Sequence, residues 1–355
     1  MKINILKIEK SKIDTVDFNN LGFGNVFSDH MFTADYRDGK WLDLQITPFT
    51  NLSISPINLT LHYGQSIFEG MKANFNNLGE IVILNPQKNA DRFRLSAERM
   101  CMEPVPNDLF LKAINELVSI DSRWIPVKEK CSLYIRPFLI AMDNSLGVKP
   151  SKSYKFIIVT GPVGALHNNS VKLQTLPNFI RATIGGIGEA KTAGNYAASL
   201  LPTRISHQNG FNEVLWLDDS EKRNIQEVGT MNIFFVINNI IVTPKINGAI
   251  LKGIMREMVL ELLESKGFKI EIRQITIDEI VLAFKNKTLQ EVFGTGTAAV
   301  ITKVSEINHE NTQIKIDTTK ENSISEIVEK EIEKIKKGEI SDSFNWITKI
   351  KKQEN

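Results

Sequence analysis

The chain has 355 residues, 42% hydrophobic and 24% charged, an ordinary globular composition that excludes a disordered chain. Lys plus Arg number 43 against 41 Asp plus Glu, a net charge of +2, without the basic excess of a dedicated nucleic-acid binder. Two cysteines, Cys101 and Cys131, exclude a disulfide framework and a cysteine-rich zinc site. There is neither an apolar run of roughly 18 residues for a membrane helix nor a signal-peptide core near Met1, so a soluble, cytoplasmic protein is expected.

Along the chain, the apolar run 81–84 predicts a short buried strand, ended by Asn85 and Pro86, with a helix over 89–100. Leu109, Leu111, Ile114, Leu117 and Val118 recur at helical spacing, predicting a helix over 109–120. Strands are predicted at 133–136 and 155–160. Turn residues cluster from Gly161 to Ser170. This places a small α/β domain at 1–163, a linker at 164–171 and a large domain at 172–355. In the latter, 214–217, 233–237 and 240–243 read as strands. Met255, Met258, Val259, Leu262 and Leu263 form a helical stripe stopped by Gly267. Phe268, Ile270 and Ile272 alternate like a strand. Thr276-Ile-Asp-Glu279 has the spacing of a capping box. A late amphipathic helix carries Glu326/Lys330 and Glu333/Lys337 pairs on its outer face.

Gly185-Gly-Ile-Gly-Glu-Ala-Lys-Thr192 nearly matches the phosphate loop G-x-x-x-x-G-K-[ST], but Ala190 stands where glycine must let the backbone wrap the phosphates. The companion Asp218, after Leu215-Trp-Leu217, is a weak signal for Mg²⁺. Lys191 suits another chemistry, since a lysine amine forms a Schiff base with an aldehyde such as that of pyridoxal phosphate.

Further segments bear on that choice: Leu61-His-Tyr-Gly64, Phe68-Glu-Gly-Met-Lys72, Asn89-Ala-Asp-Arg92, Leu133-Tyr-Ile-Arg-Pro137, Ser145-Leu-Gly-Val148 and Glu213-Val-Leu-Trp-Leu217. With Arg181 to Lys191, Gly194-Asn-Tyr196, Glu227-Val-Gly-Thr-Met-Asn232, Asn247 to Gly253 and Phe293-Gly-Thr-Gly-Thr-Ala298, they stand in one order over about residues 20–300. Together they resemble the branched-chain amino acid aminotransferases, pyridoxal-phosphate enzymes of fold type IV. The resemblance implies an α/β (α+β) protein of two domains, with the cofactor at the domain interface.

It implies that Lys191 holds the cofactor's aldehyde and shuttles a proton. Glu227 is similar to the family's partner of the pyridine nitrogen, and Tyr196 to its partner of the phenolic oxygen. Arg92, the Gly253-Ile254-Met255 helix start and Thr297 would bind the phosphate. An arginine fork and free helix N–H groups suit that anion. For the substrate, Tyr134 and Arg136 share one face of a strand. Arg136 would receive the side-chain carboxylate of glutamate, and Phe23, Tyr63 and Phe68 would wall an apolar pocket. Thr230 and Ala298 would meet the α-carboxylate. Leu146 and Val148 would enter a partner's pocket, implying a homodimer.

Three departures stand out. Lys252 replaces a proline common in relatives, Leu166 replaces an aromatic residue of the animal enzymes, and Ala299 and Thr302 replace their Cys-x-x-Cys pair, which excludes a thiol switch there. The expected reaction is transfer of the amino group of leucine, isoleucine or valine to 2-oxoglutarate. D-amino-acid aminotransferases and aminodeoxychorismate lyases share the lysine and glutamate, but the long N-terminal section and the segments at 68–72 and 133–137 argue against both. A non-catalytic or nucleotide-binding protein is the alternative of another class, and the retained Lys191, Glu227, Arg92 and Tyr196 argue against a dead enzyme.

Overall fold

Asp38 and Gly39 take φ of 53° and 74°, the turn that a two-residue hairpin requires. It joins β2 (His30–Arg37) to β3 (Lys40–Pro48), following a short β1 (Asn4–Ile5). The computed structural model describes residues 2–164, 170–297 and 300–351. Leu166, Ala298, Ala299 and most of the expected linker lie outside the described residues. The chain divides into two units, residues 1–166 with 190–193 and 334–355, and residues 167–189 with 194–333.

The first unit continues through α1 (Leu59–Tyr63), β4 (Ser66–Phe68), β5 (Met71–Phe75), β6 (Ile81–Leu84), α2 (Pro86–Arg99), α3 (Asn107–Ile120), β7 (Ser132–Ala141) and β8 (Tyr154–Val163). Its sheet runs β1-β3-β2-β8-β7-β5-β6 and closes with the strand Ile347–Ile350, while β4 pairs with β7. That last strand lies antiparallel on β6, so the tail completes the first unit's sheet and is not, as the expected domain at 172–355 would have it, part of the second unit. The helix expected at 89–100 begins earlier because Pro86 fills the first turn, where its missing N–H costs nothing. Phe32, Phe93, Phe110, Trp124 and Phe156 form the core between α2, α3 and the sheet. On β7, Leu133, Ile135 and Leu139 are buried while Tyr134, Arg136 and Phe138 are half-buried. The strand's two-residue period thus gives one face to the core and leaves the other for chemistry.

The second unit holds β9 (Val171–Gln174), α4 (Ala193–Gln208), β10 (Glu213–Leu217), β11 (Ile225–Val228), β12 (Asn232–Ile237), β13 (Ile240–Pro244), α5 (Ile254–Ser265), β14 (Ile270–Arg273), α6 (Ile277–Lys285), β15 (Leu289–Gly296), β16 (Val300–His309), β17 (Thr312–Lys315) and most of α7 (Ile324–Lys337). Its sheet runs β11-β10-β9-β16-β15-β12-β13-β14, with β17 on β16. Ile233, Phe235, Val292, Val304 and Ile307 pack in its core. On α7 the expected Glu326/Lys330 pair forms at 2.5 Å.

Candidate active site

The buried face of α2 carries a polar stripe. Asn89, Arg92 and Ser96, at i, i+3 and i+7, are all buried on one side. Arg92 grips Glu69 with two prongs, Nε to Oε1 at 2.6 Å and Nη2 to Oε2 at 2.9 Å. Asn89 Nδ2 and Gly70 N donate to Oε2 at 2.7 and 3.1 Å. Burial of Glu69 disfavours its charge. The charge and hydrogen bonds of Arg92, the charge of Lys191 and the hydrogen bond of Asn89 outweigh this and hold its carboxyl below the usual range.

One turn beyond Arg92, Ser96 Oγ accepts from Lys191 N at 3.0 Å. Phe68 N donates to the Lys191 carbonyl at 3.0 Å. The backbone of Lys191 is therefore fastened to α2 and β4. Its Nζ stands 5.0 Å from the centre of the Phe68 ring, and the Arg136 guanidinium carbon 4.6 Å from the same centre; both are cation–π distances. Arg136 Nη2 donates to the Tyr134 hydroxyl at 2.9 Å, while its Nε is buried without a hydrogen-bond partner. Phe23 packs edge-on to Tyr134 at 5.1 Å. A Cβ on Gly70 would fall 2.2 Å from the Tyr134 hydroxyl, so only glycine admits Tyr134 here. The structure thus gathers Phe23, Phe68, Tyr134, Arg136, Arg92 and Lys191 in the first unit. Tyr63 ends α1 and donates to the Leu146 carbonyl; Leu146 and Val148 are 66% and 81% exposed.

In the second unit Glu227 is buried on β11. Its Oε2 meets Arg181 Nε at 2.6 Å, and its Oε1 accepts from Asn232 Nδ2 at 3.0 Å and Leu251 N at 3.2 Å. Asn232 also donates to the Leu251 carbonyl at 3.0 Å, tying β12 to the segment before α5. A Cβ on Gly253 would fall 1.8 Å from Asn232 Oδ1, so glycine is required where α5 begins. No side chain caps this terminus, whose N–H groups and dipole favour an anion. Exposed Lys252 precedes it. Tyr196 is half-buried on the first turn of α4, Thr230 is exposed in the β11–β12 turn, and Thr297 follows β15, half-buried.

Two further charged residues belong to these arrangements. Glu69 sits within the segment Phe68–Lys72, and Arg181 opens the segment Arg181–Lys191. Neither has a spacing that betrays its partner. Arg181 also donates to the carbonyls of Gly188, at 3.3 Å, and Ala249. The phosphate-loop alternative lacks its context, since β9 ends at Gln174 and α4 begins after the lysine, at Ala193. Among the described residues, no His, Cys, Asp and Glu group could hold a metal ion, and no helix is long and apolar enough to cross a membrane.

Pyridoxal phosphate requires an amine for its aldehyde, donors for its phosphate and an anion for its ring nitrogen. Lys191 and Arg92 within the first unit are an amine and a donor of these kinds, and Glu227 and the uncapped α5 terminus within the second are an anion and further donors, so the residue chemistry of each unit fits the group.

The pattern of the amino-transferase class IV family matches residues 66–307. Over 354 residues the chain is 42% identical to branched-chain-amino-acid aminotransferase 2 of Bacillus subtilis (strain 168), covering 99% of this chain and 97% of that protein. The chain belongs to the branched-chain-amino-acid aminotransferases. It is also 36% identical over 340 residues to the branched-chain-amino-acid aminotransferase of Mycolicibacterium smegmatis, covering 93% and 92% of the two chains. In fold it is similar to the Escherichia coli branched-chain amino acid aminotransferase, with a TM-score of 0.75 at 22% identity over 91% of this chain and 99% of that one. The branched-chain amino acid aminotransferase of T.th., complexed with N-(5'-phosphopyridoxyl)-L-glutamate, gives 0.73 at 24% identity, over 94% and 99%. These likenesses show fold type IV, and family membership makes the protein an aminotransferase.

Proposed function

We propose that the enzyme transfers an amino group reversibly from leucine, isoleucine or valine to 2-oxoglutarate, giving branched 2-oxo acids and glutamate, with pyridoxal 5'-phosphate as cofactor. The observation that carries this reading is the near full-length identity of 42% to a relative bearing that name. The aromatic cluster of the first unit gives it a physical basis. Phe23, Phe68 and Tyr134 offer apolar surface to a branched side chain. The buried, unpartnered Nε of Arg136 offers a donor to the carboxylate of the second substrate.

The cofactor, when bound, supplies an electron sink for the carbanion formed at the substrate's α-carbon. Lys191 would hold its aldehyde and would carry the substrate's α-proton on Nζ. Arg92, the N–H groups of Ile254 and Met255 and the hydroxyl of Thr297 bind the phosphate. Tyr196 meets the phenolic oxygen. Glu227, aligned by Arg181 and Asn232, keeps the ring nitrogen protonated. Thr230 orients the α-carboxylate. Leu146 and Val148 enter the pocket of a second copy, so the working form is a homodimer. A panel of amino donors with 2-oxoglutarate tests the assignment: leucine, isoleucine and valine should lead in glutamate formation. A D-amino acid leading the panel would overturn it.

A further inference from the structure

We infer that Gly161 and Gly164 are positioning residues that determine specificity: they seat the segment 21–27 against β8 and its end, and so place Phe23 as the wall that sizes the substrate's side chain. Phe23 lies between two points at which that segment comes backbone to backbone with 161–164. A Cβ on Gly161 would fall 2.1 Å from the Val26 carbonyl oxygen and 3.3 Å from the Phe27 Cα, and one on Gly164 would fall 2.4 Å from the Leu21 carbonyl oxygen. The obstructing atoms are main chain, which no change of rotamer clears. Hydrogen bonds close both points. Gly164 N donates to the Gly22 carbonyl at 3.2 Å, and Ser28 N to the Thr160 carbonyl at 2.8 Å. Beside the latter, the buried hydroxyls of Ser28 and Thr160 pair at 2.5 Å. Val26 packs on the first unit's core, and Phe27 stacks on Phe49 at 5.3 Å.

Strand register makes these seats part of the pocket. Gly161 stands directly opposite Tyr134 of β7, as Val159 stands opposite Arg136. Residues opposite each other in an antiparallel pair direct their side chains to the same face. The missing side chain of Gly161 therefore clears the face that bears Tyr134 and Arg136, and the segment 21–27 occupies the space. Phe23 meets Tyr134 edge-on at 5.1 Å, and the Tyr134 hydroxyl accepts from Arg136 Nη2. A side chain at 161 or 164 must lift the segment off β8. Phe23, carried between the two points, then withdraws from Tyr134, and the pocket widens where the ring stood. Neither glycine touches the substrate; both act through Phe23.

The experiment reads the ratio of kcat/KM for phenylalanine to that for valine, each with 2-oxoglutarate and the holoenzyme. A glycine needed only for folding would lower both values alike and leave the ratio unchanged. Gly161→Ala should raise the ratio about tenfold, since a change of even one methylene at an apolar wall is worth that much. Phe23→Ala, which removes the wall directly, should shift it in the same direction. The double variant should show the ratio of Phe23→Ala alone, because residues that act through one contact are not additive. An unchanged ratio in Gly161→Ala, or a shift that adds in full to that of Phe23→Ala, overturns the proposal. Where Gly161→Ala does not fold, Gly164→Ala decides by the same criteria. The inference rests on the reading of Phe23 as a pocket wall, and the two fail separately. An unchanged ratio in Phe23→Ala overturns that reading and the proposal with it, while a shift in Phe23→Ala with none in the glycine variants overturns the proposal alone.

Discussion

Arg136 combines three relations in one side chain: a ring beneath its guanidinium, a hydroxyl on Nη2 and a buried, unanswered Nε. A charged hydrogen bond contributes roughly 1.5–3 kcal/mol, so Arg136→Ala should weaken glutamate and 2-oxoglutarate about tenfold or more. Leucine has no side-chain carboxylate for Nε, and its half-reaction should change less. Single-turnover kinetics with each substrate measure the contrast, and equal losses would make Arg136 a support for Tyr134 alone. Lys191→Ala should leave the fold intact and abolish turnover. Borohydride reduction of the wild-type holoenzyme should label the peptide that contains Lys191, and a label elsewhere would refute the central assignment. Glu227→Gln keeps one acceptor for Asn232 and Leu251 but loses the charge. Its turnover should fall by about 3 kcal/mol of barrier, the cost of losing a preorganised electrostatic partner, with cofactor still bound. Near-normal kcat would count against it.

At the scale of single elements, helix α6 shows how far a spacing rule reaches. Thr276 Oγ1 accepts from Glu279 N at 3.1 Å, as the capping box requires. The Glu279 carboxylate, however, takes Arg273 at 2.9 and 2.6 Å. Tertiary pairing has claimed the arm that the motif assigns to the helix start. Thr276→Ala should cost about 1 kcal/mol, read from the denaturant midpoint, and Thr276→Ser should retain most of it. The β10–β11 hairpin is organised by Asp218, which accepts from Ser220 Oγ at 2.6 Å, Arg223 N at 3.0 Å and Asn224 N at 2.9 Å. Burial raises its pKa, but these bonds outweigh burial and bring it from 3.8 to about 2. The folded value lies below the unfolded one, so its stabilisation is complete above 3.8 and disappears as the pH falls toward about 2. The stability difference between wild type and Asp218→Asn should follow that course, present at neutral pH and absent near the lower value.

At the scale of the molecule, the tail supports the first unit's site from the far end of the chain. Trp346 is 2% exposed, stacks on Phe344 at 4.3 Å and accepts from Asn85 N at 2.7 Å through its carbonyl. The strand after it covers β6, and β6 leads directly into α2, which carries Arg92. Trp346→Ala should therefore cost about 3–5 kcal/mol, seen in the thermal or denaturant midpoint. A midpoint within experimental error of wild type would mean that the tail is dispensable to this sheet.

Local pattern determined much of this protein by itself. Periods of 2 and 3.6 in residues such as Leu133, Ile135 and Leu139, or Met255, Met258 and Leu262, mark strands and helices because burial on one face is a property of neighbours in sequence. The ordered motifs around Arg92, Lys191 and Glu227 marked the family because each keeps its chemistry within a few residues. Tertiary structure decided the rest. Glu69 meets Arg92 from 23 residues away, Arg181 meets Glu227 from another segment of its unit, and Ile347–Ile350 closes a sheet begun near the N-terminus. No local spacing encodes such partners. They are selected when the chain folds, because a buried charge is tolerated only where a distant group of opposite sign arrives to meet it.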